Sequence, residues 1–115
     1  LVFTDNDELA GLAALQVRAD AVIILSSVEG FLNNSSRVIP EITGRTISSF
    51  RKHVMVAKTA GGRGGMVSKF AVARKLMSHG ITVHIADGKR KNVLSDIMKG
   101  VAVGTKFVPR SKSKR

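Results

Sequence analysis

The run Ala21-Val22-Ile23-Ile24-Leu25 constrains the fold of this 115-residue chain more than any other feature. These apolar residues, bounded by Asp20 and Ser26, leave no polar face for water. They read as a strand buried on both faces, as in a parallel sheet covered by helices on each side. Upstream, Asn6 or Asp7 can cap a helix reaching Arg18, because Leu9, Leu12, Ala13 and Val17 recur at helical spacing. Downstream, a polar connection leads from Glu29-Gly30 to Arg37, a short extended piece at Val38-Ile39 ends at Pro40, and residues 46–57 read as a helix. Met66, Phe70, Ala73 and Met77 mark one face of a further helix that Gly80 can stop, with Arg74 and Lys75 solvated. The next strand covers residues 81–86 and closes at Asp87-Gly88. Val93, Leu94, Ile97 and Met98 line a short helix ended by Gly100, and residues 103–108 form a last strand before Pro109.

This alternation predicts an α/β fold, a three-layer αβα sandwich with a mainly parallel sheet and no linker that would separate two domains. Ligands of such sheets sit at the carboxyl ends of strands. Ser26-Ser27, the glycine-rich stretch ahead of Phe70, and Asp87-Gly88 are therefore expected to converge on one crevice. That stretch, Gly61-Gly62-Arg63-Gly64-Gly65-Met66-Val67-Ser68-Lys69, combines four glycines and a lysine ahead of a helical pattern. A turn so poor in side chains lets backbone N–H groups approach a ligand, and a following helix turns its partly positive end the same way, which suits phosphate. Lys69 is expected in the first turn of that helix, where a cation is disfavoured unless an anion lies close by. The glycines alone read equally well as a flexible loop. Their spacing matches neither the dinucleotide fingerprint nor a P-loop.

Composition narrows the classes. With 43% hydrophobic residues the chain can build a packed core. No apolar run approaches the length needed to cross a bilayer, and the amino terminus lacks the pattern of a secretory signal. The absence of cysteine excludes disulfides and thiolate metal sites and fits a reducing compartment, so cytoplasm is the expected location. Leu1 in place of Met reads as the start of a fragment or a processed product.

Nineteen Lys and Arg against eight Asp and Glu give a formal charge of +11, enough to attract polyanions at low salt. Lys106, Arg110, Lys112, Lys114 and Arg115 crowd the end as a solvated tail, and Lys89-Arg90-Lys91 reads as an exposed run after a turn. With no Trp, no Tyr and five Phe, the stacking platforms of single-strand binders are missing, so specific nucleic-acid binding is not expected. A basic nucleic-acid-binding module stays as the alternative from another class. His53, His79 and His84 lack the i, i+4 spacing of zinc pairs, the acidic residues 5–8 lack the spacing of a calcium loop, and no Ser-His-Asp set stands out. Asp5, Asn6 and Asp7 taken alone read more readily as a helix cap than as a site.

Three stretches change that balance together. Phe3-Thr4-Asp5-Asn6-Asp7-Glu8-Leu9, Ile24-Leu25-Ser26-Ser27-Val28-Glu29-Gly30-Phe31 and Gly64-Gly65-Met66-Val67-Ser68-Lys69, in this order and spacing, resemble the glutamate 5-kinase branch of the amino acid kinase family. Ile85-Ala86-Asp87-Gly88 and Gly104-Thr105-Lys106-Phe107 extend the resemblance over nearly the whole chain. It implies that residues 1–109 are the carboxyl-terminal part of an amino acid kinase domain, a partial domain, followed by a basic tail at 110–115.

The family's reaction moves the γ-phosphoryl group of ATP, with Mg²⁺, onto the side-chain carboxylate of L-glutamate, the first step of proline biosynthesis. By resemblance Lys69 sits near the transferring group and Asp7 orients the catalytic lysines. Asn6, and less strongly Asp5, contact the amino acid. Ser26, Ser27, Gly62, Arg63, Gly64, Gly65, Met66, Val67 and Ser68 surround the nucleotide. Ser27 stands where the family usually has Asp, and the connection after Phe31 is shorter than usual. The resemblance also implies a homo-oligomer, dimer or tetramer, with no membrane partner. Other members of the family, acting on aspartate, acetylglutamate or a nucleotide, are the alternative within the same fold.

Overall fold

The computed structural model describes residues 2–4, 13, 15, 16, 19–27, 29–33, 37–50 and 64–109. Five strands form one sheet: β1 (Val2–Thr4), β2 (Ala21–Ser26), β3 (Glu41–Thr43), β4 (Thr82–Asp87) and β5 (Thr105–Val108), in the spatial order β1-β2-β4-β5-β3. Every neighbouring pair is parallel except β4 with β5. Two helices pack on the sheet, α1 (Gly64–Ser78) and α2 (Val93–Met98).

The period-two alternation of strands sorts the apolar side chains into two layers. Val22 and Ile24 of β2, Val83 and Ile85 of β4, Phe107 of β5 and Ile42 of β3 meet Phe70, Ala73, Leu76 and Met77 of α1 on one face. On the other, Ile23 and Ala86 meet Val93 and Ile97 of α2 together with Val103. The run that opened the sequence is buried on both sides as expected, with Val22, Ile23 and Ile24 each at 1% exposure or less. Three phenylalanines join the elements of the larger layer edge to face. Phe31 lies 5.6 Å from Phe70 and 5.4 Å from Phe107 between ring centroids.

Several boundaries differ from the sequence expectation. Helix α1 begins at Gly64, so Gly64 and Gly65 belong to it instead of forming a loop ahead of it, and Lys69 falls in its second turn. Each glycine costs a helix about 1 kcal/mol relative to alanine. Burying Phe70, Leu76 and Met77 against the sheet offsets this, at about 1.5–3 kcal/mol for each large side chain. Leu76 is fully buried although the apolar stripe was drawn without it.

The extended piece expected at Val38-Ile39 is an isolated bridge between Leu32 and Val38, and the strand there is β3, after Pro40. Strand β5 starts at Thr105, two residues later than expected. Met98 is 65% exposed and does not line the core. Of the helix expected at 46–57 the described residues show helical 47–50, and of the one ending at Arg18 they show helical Ala13, Leu15 and Gln16.

Candidate functional site

The topology gathers most of the suspected chemistry at one end of the sheet. Because β5 runs antiparallel to β4 and parallel to β3, the carboxyl ends of β2 and β4 share an end with the amino ends of β5 and β3. Ser26 and Asp87 are register partners there, and the Gly88 N–H donates to the Ser26 carbonyl at 2.9 Å. Ser26 is half-buried and Ser27 exposed. The Asp87 carboxylate accepts the Lys89 N–H at 2.9 Å, which fixes the turn leaving β4.

The amino end of α1 returns to this same end. The Ile81 N–H donates to the Leu76 carbonyl at 3.0 Å, so helix and strand reverse direction tightly. From Leu76 back to Gly64 the helix covers about 18 Å at about 1.5 Å per residue. From Ile81 forward to Asp87 the strand covers about 20 Å at about 3.3 Å per residue. Gly64 therefore stands at the level of Asp87. The first four N–H groups of a helix have no partner within it and carry the positive end of its dipole. Lys69 is half-buried one turn further in, and helical side chains lean back toward the amino end. The edge-on contact of Phe70 with Phe31 ties that turn to the segment following Ser26-Ser27.

A cleft of about 500 Å³ opens at this end, a volume typical of small-molecule sites. Glu29, Asp87 and Arg90 supply its charge, and Val38, Pro40 and Val103 an apolar wall. The Arg90 guanidinium is held by Asp96 of α2 at 3.0 Å. Carboxylates beside apolar wall suit a ligand with hydroxyls and a flat apolar part.

Of the residues singled out in the sequence, the structure brings Ser26, Ser27, Lys69 and the start of α1 to the sheet end that also carries Asp87. Asp5, Asn6, Asp7, Gly62 and Arg63 lie outside the described residues. β1 runs parallel to β2 and so points to the same end. Glu29 and Arg90 were not singled out. Glu29 follows the end of β2 as Ser27 does, and Arg90 lies just beyond Asp87-Gly88. That position was the available signal, masked by the reading of 89–91 as a solvated run. Among the described residues no three His, Asp or Glu side chains form a metal-holding group, and no helix is long and apolar enough to cross a membrane.

Known proteins are similar to this chain in sequence and in fold. Residues 1–87 match the model of the amino acid kinase family. The chain is 45% identical to the glutamate 5-kinase of Bacteroides thetaiotaomicron over 117 residues, covering 95% of this chain and 32% of that protein. It is also 45% identical to the glutamate 5-kinase of Chlorobaculum tepidum over 121 residues, covering 100% and 33%. The chain thus spans about a third of the length of these relatives. Among solved structures, N-acetylglutamate synthase from Neisseria gonorrhoeae superposes with a TM-score of 0.74 at 15% identity, over 91% of this chain and 23% of that one. Carbamate kinase from Giardia lamblia superposes with 0.69 at 23% identity, over 91% and 31%. The fold, the ordered motifs and the extent of the match together make this chain a member of the amino acid kinase family.

Proposed function

We propose that this chain is the carboxyl-terminal, ATP-binding part of a glutamate 5-kinase, with residues 1–109 contributing to the kinase domain and 110–115 forming a basic tail. The observation that carries the reading is that the amino end of α1 and the carboxyl ends of β2 and β4 share the end of the sheet at which the cleft lined by Glu29 and Asp87 opens, in a chain 45% identical to proteins of that name. Transfer between two anions needs alignment and charge compensation more than covalent help. The backbone N–H groups of Gly64, Gly65, Met66 and Val67, the first four of α1, cradle phosphate oxygens, joined by Gly62, Arg63 and Ser68. The Lys69 ammonium stabilises charge on the transferring group. Ser26 and Ser27 approach the nucleotide from β2.

The base and ribose occupy the cleft, where Glu29 and Asp87 accept hydroxyl protons in place of the carboxylate that Ser27 lacks. Asn6 and Asp5 hold L-glutamate, and Asp7 orients the lysines. A Mg²⁺ would be held chiefly by the phosphates, as this ion is commonly bound. Bound there, Mg²⁺ would neutralise phosphate charge. The reading includes a cytoplasmic homo-oligomer serving proline biosynthesis.

The test uses the full-length gene product. Lys69→Ala should lower glutamate-dependent ADP release by about 100-fold or more, as removal of a charge-stabilising donor does, with the folded structure retained. Near-normal turnover would remove Lys69 from the mechanism. A panel of glutamate, aspartate and acetylglutamate decides the acceptor.

A further inference from the structure

Among the described residues Thr105 is the buried polar side chain of an otherwise apolar core. Its hydroxyl accepts the Phe31 N–H at 2.9 Å and donates to the Ile39 carbonyl at 2.7 Å. The Ile39 N–H in turn donates to the Phe31 carbonyl at 2.7 Å. Both ends of the connection between β2 and β3 are thus closed into a ring through one hydroxyl that belongs to β5. The Lys106 N–H, donating to the Pro40 carbonyl at 3.0 Å, extends the seam. The approach is close on the loop side as well, since a Cβ on Gly30 would lie 2.7 Å from the Thr105 hydroxyl.

What this ring holds is a wall of the cleft. Glu29, Val38 and Pro40 flank it, and Gly104, the residue before Thr105, lines the cleft too. Phe31, inside the ring, also packs on Phe70 beside Lys69. A valine would fill the same volume, so packing alone does not require a hydroxyl here. A buried hydroxyl with both its donor and its acceptor used on the two ends of one loop fixes that loop in position.

We infer that Thr105 is a positioning residue for the nucleotide: by clamping Phe31 and Ile39 to β5 it sets Glu29 and the cleft wall at Val38 and Pro40 against Asp87 and Arg90, and so tunes affinity for ATP without touching it. The inference rests on the nucleotide reading of the cleft given above.

The experiment compares Thr105→Val and Thr105→Ser in the full-length protein. Thr105→Val should raise KM for ATP and weaken ATP binding in calorimetry by about tenfold, the factor carried by roughly one net hydrogen bond, while KM for glutamate stays unchanged. Thr105→Ser, which keeps the hydroxyl, should stay within about twofold of the parent protein. Amide exchange at Phe31 should lose protection in the valine variant alone. Thr105→Ala, which removes the hydroxyl without adding a methyl group beside the Phe31 N–H, should weaken ATP in the same selective way, and it decides the matter if Thr105→Val does not fold. Lower thermal stability with unchanged ATP affinity, or equal loss for ATP and glutamate, or a serine variant as weak as the valine one, would overturn the inference. A parent protein that binds ATP without glutamate-dependent turnover refutes the acceptor assignment and leaves the ATP-affinity ratio to judge Thr105. A parent that binds no ATP refutes both.

Discussion

At the scale of single residues, two glycines that look alike in the sequence have different duties. Gly100 and Gly104 both have positive φ, +87° and +66°. Around Gly100 a side chain would meet open space. At Gly104 a Cβ would be driven into the Ile85 carbonyl oxygen and come within 3.0 Å of the Glu29 carbonyl. Alanine at position 100 therefore suffers only the left-handed backbone penalty, about 1–2 kcal/mol. Alanine at 104 adds a collision between main chains that neither strand can relieve, and should cost about 3 kcal/mol or more. Urea unfolding with unchanged slope measures the difference, and equal midpoints for the two variants would show that the close approach carries no energy. The sequence offered Gly100 as a helix stop and Gly104 only as part of a family motif, because the contact that separates them is made with residues far away in the chain. Lys69 stood out for the same reason in reverse: its setting beside the glycines is local, although the helical turn it occupies is set by distant packing.

At the scale of elements, β2 was legible because it is a continuous apolar run whose burial on both faces shows in the residues themselves, and β4 because Ile81, Val83, Ile85 and Ala86 stand between the turn signals Gly80 and Asp87-Gly88. β3 was not, since only Ile42 of its three residues is buried and its partner β5 lies more than sixty residues away. The antiparallel step from β4 to β5 was equally hidden, and it has an electrostatic consequence. On the α2 side of the sheet it sets half-buried His84 opposite Lys106, with Ile23 of β2 on its other flank and Glu41 of β3 beyond the lysine. Burial, and after it the Lys106 charge, hold His84 below the ordinary imidazole value of 6.5. The unfolded chain then takes up a proton near pH 6.5 that the folded chain refuses. Stability from this group is complete above that pH and is lost as the pH falls below it toward the lowered value. His84→Gln should flatten the decline of the thermal midpoint between pH 7.5 and 5.5. Lys106→Met should reduce it only in part, since burial is the larger cause. An unaltered decline in His84→Gln would assign the effect to other groups.

For the molecule as a whole the question is what a charge of +11 does. Among the described residues the exposed cations are spread over both helical layers, with Arg74 and Lys75 on α1 and Lys89, Lys91 and Lys99 around α2. The cleft itself holds two carboxylates and an arginine already engaged by Asp96. A diffuse field of this kind attracts polyanions without reading them, whereas the built end of the sheet suits one small ligand. The two behaviours separate with salt. Retention of an oligonucleotide through six to ten phosphates should fall by about 10³ or more between 50 and 200 mM salt and show no preference among sequences. Stabilisation of the full-length protein by Mg-ATP should persist at 200 mM, reaching about 2.7 kcal/mol when the nucleotide stands at a hundredfold excess over its Kd. Sequence-selective oligonucleotide binding that survives 200 mM salt, together with no thermal shift by Mg-ATP, would reverse the assignment. It would make the cations the functional surface and leave the cleft without its nucleotide.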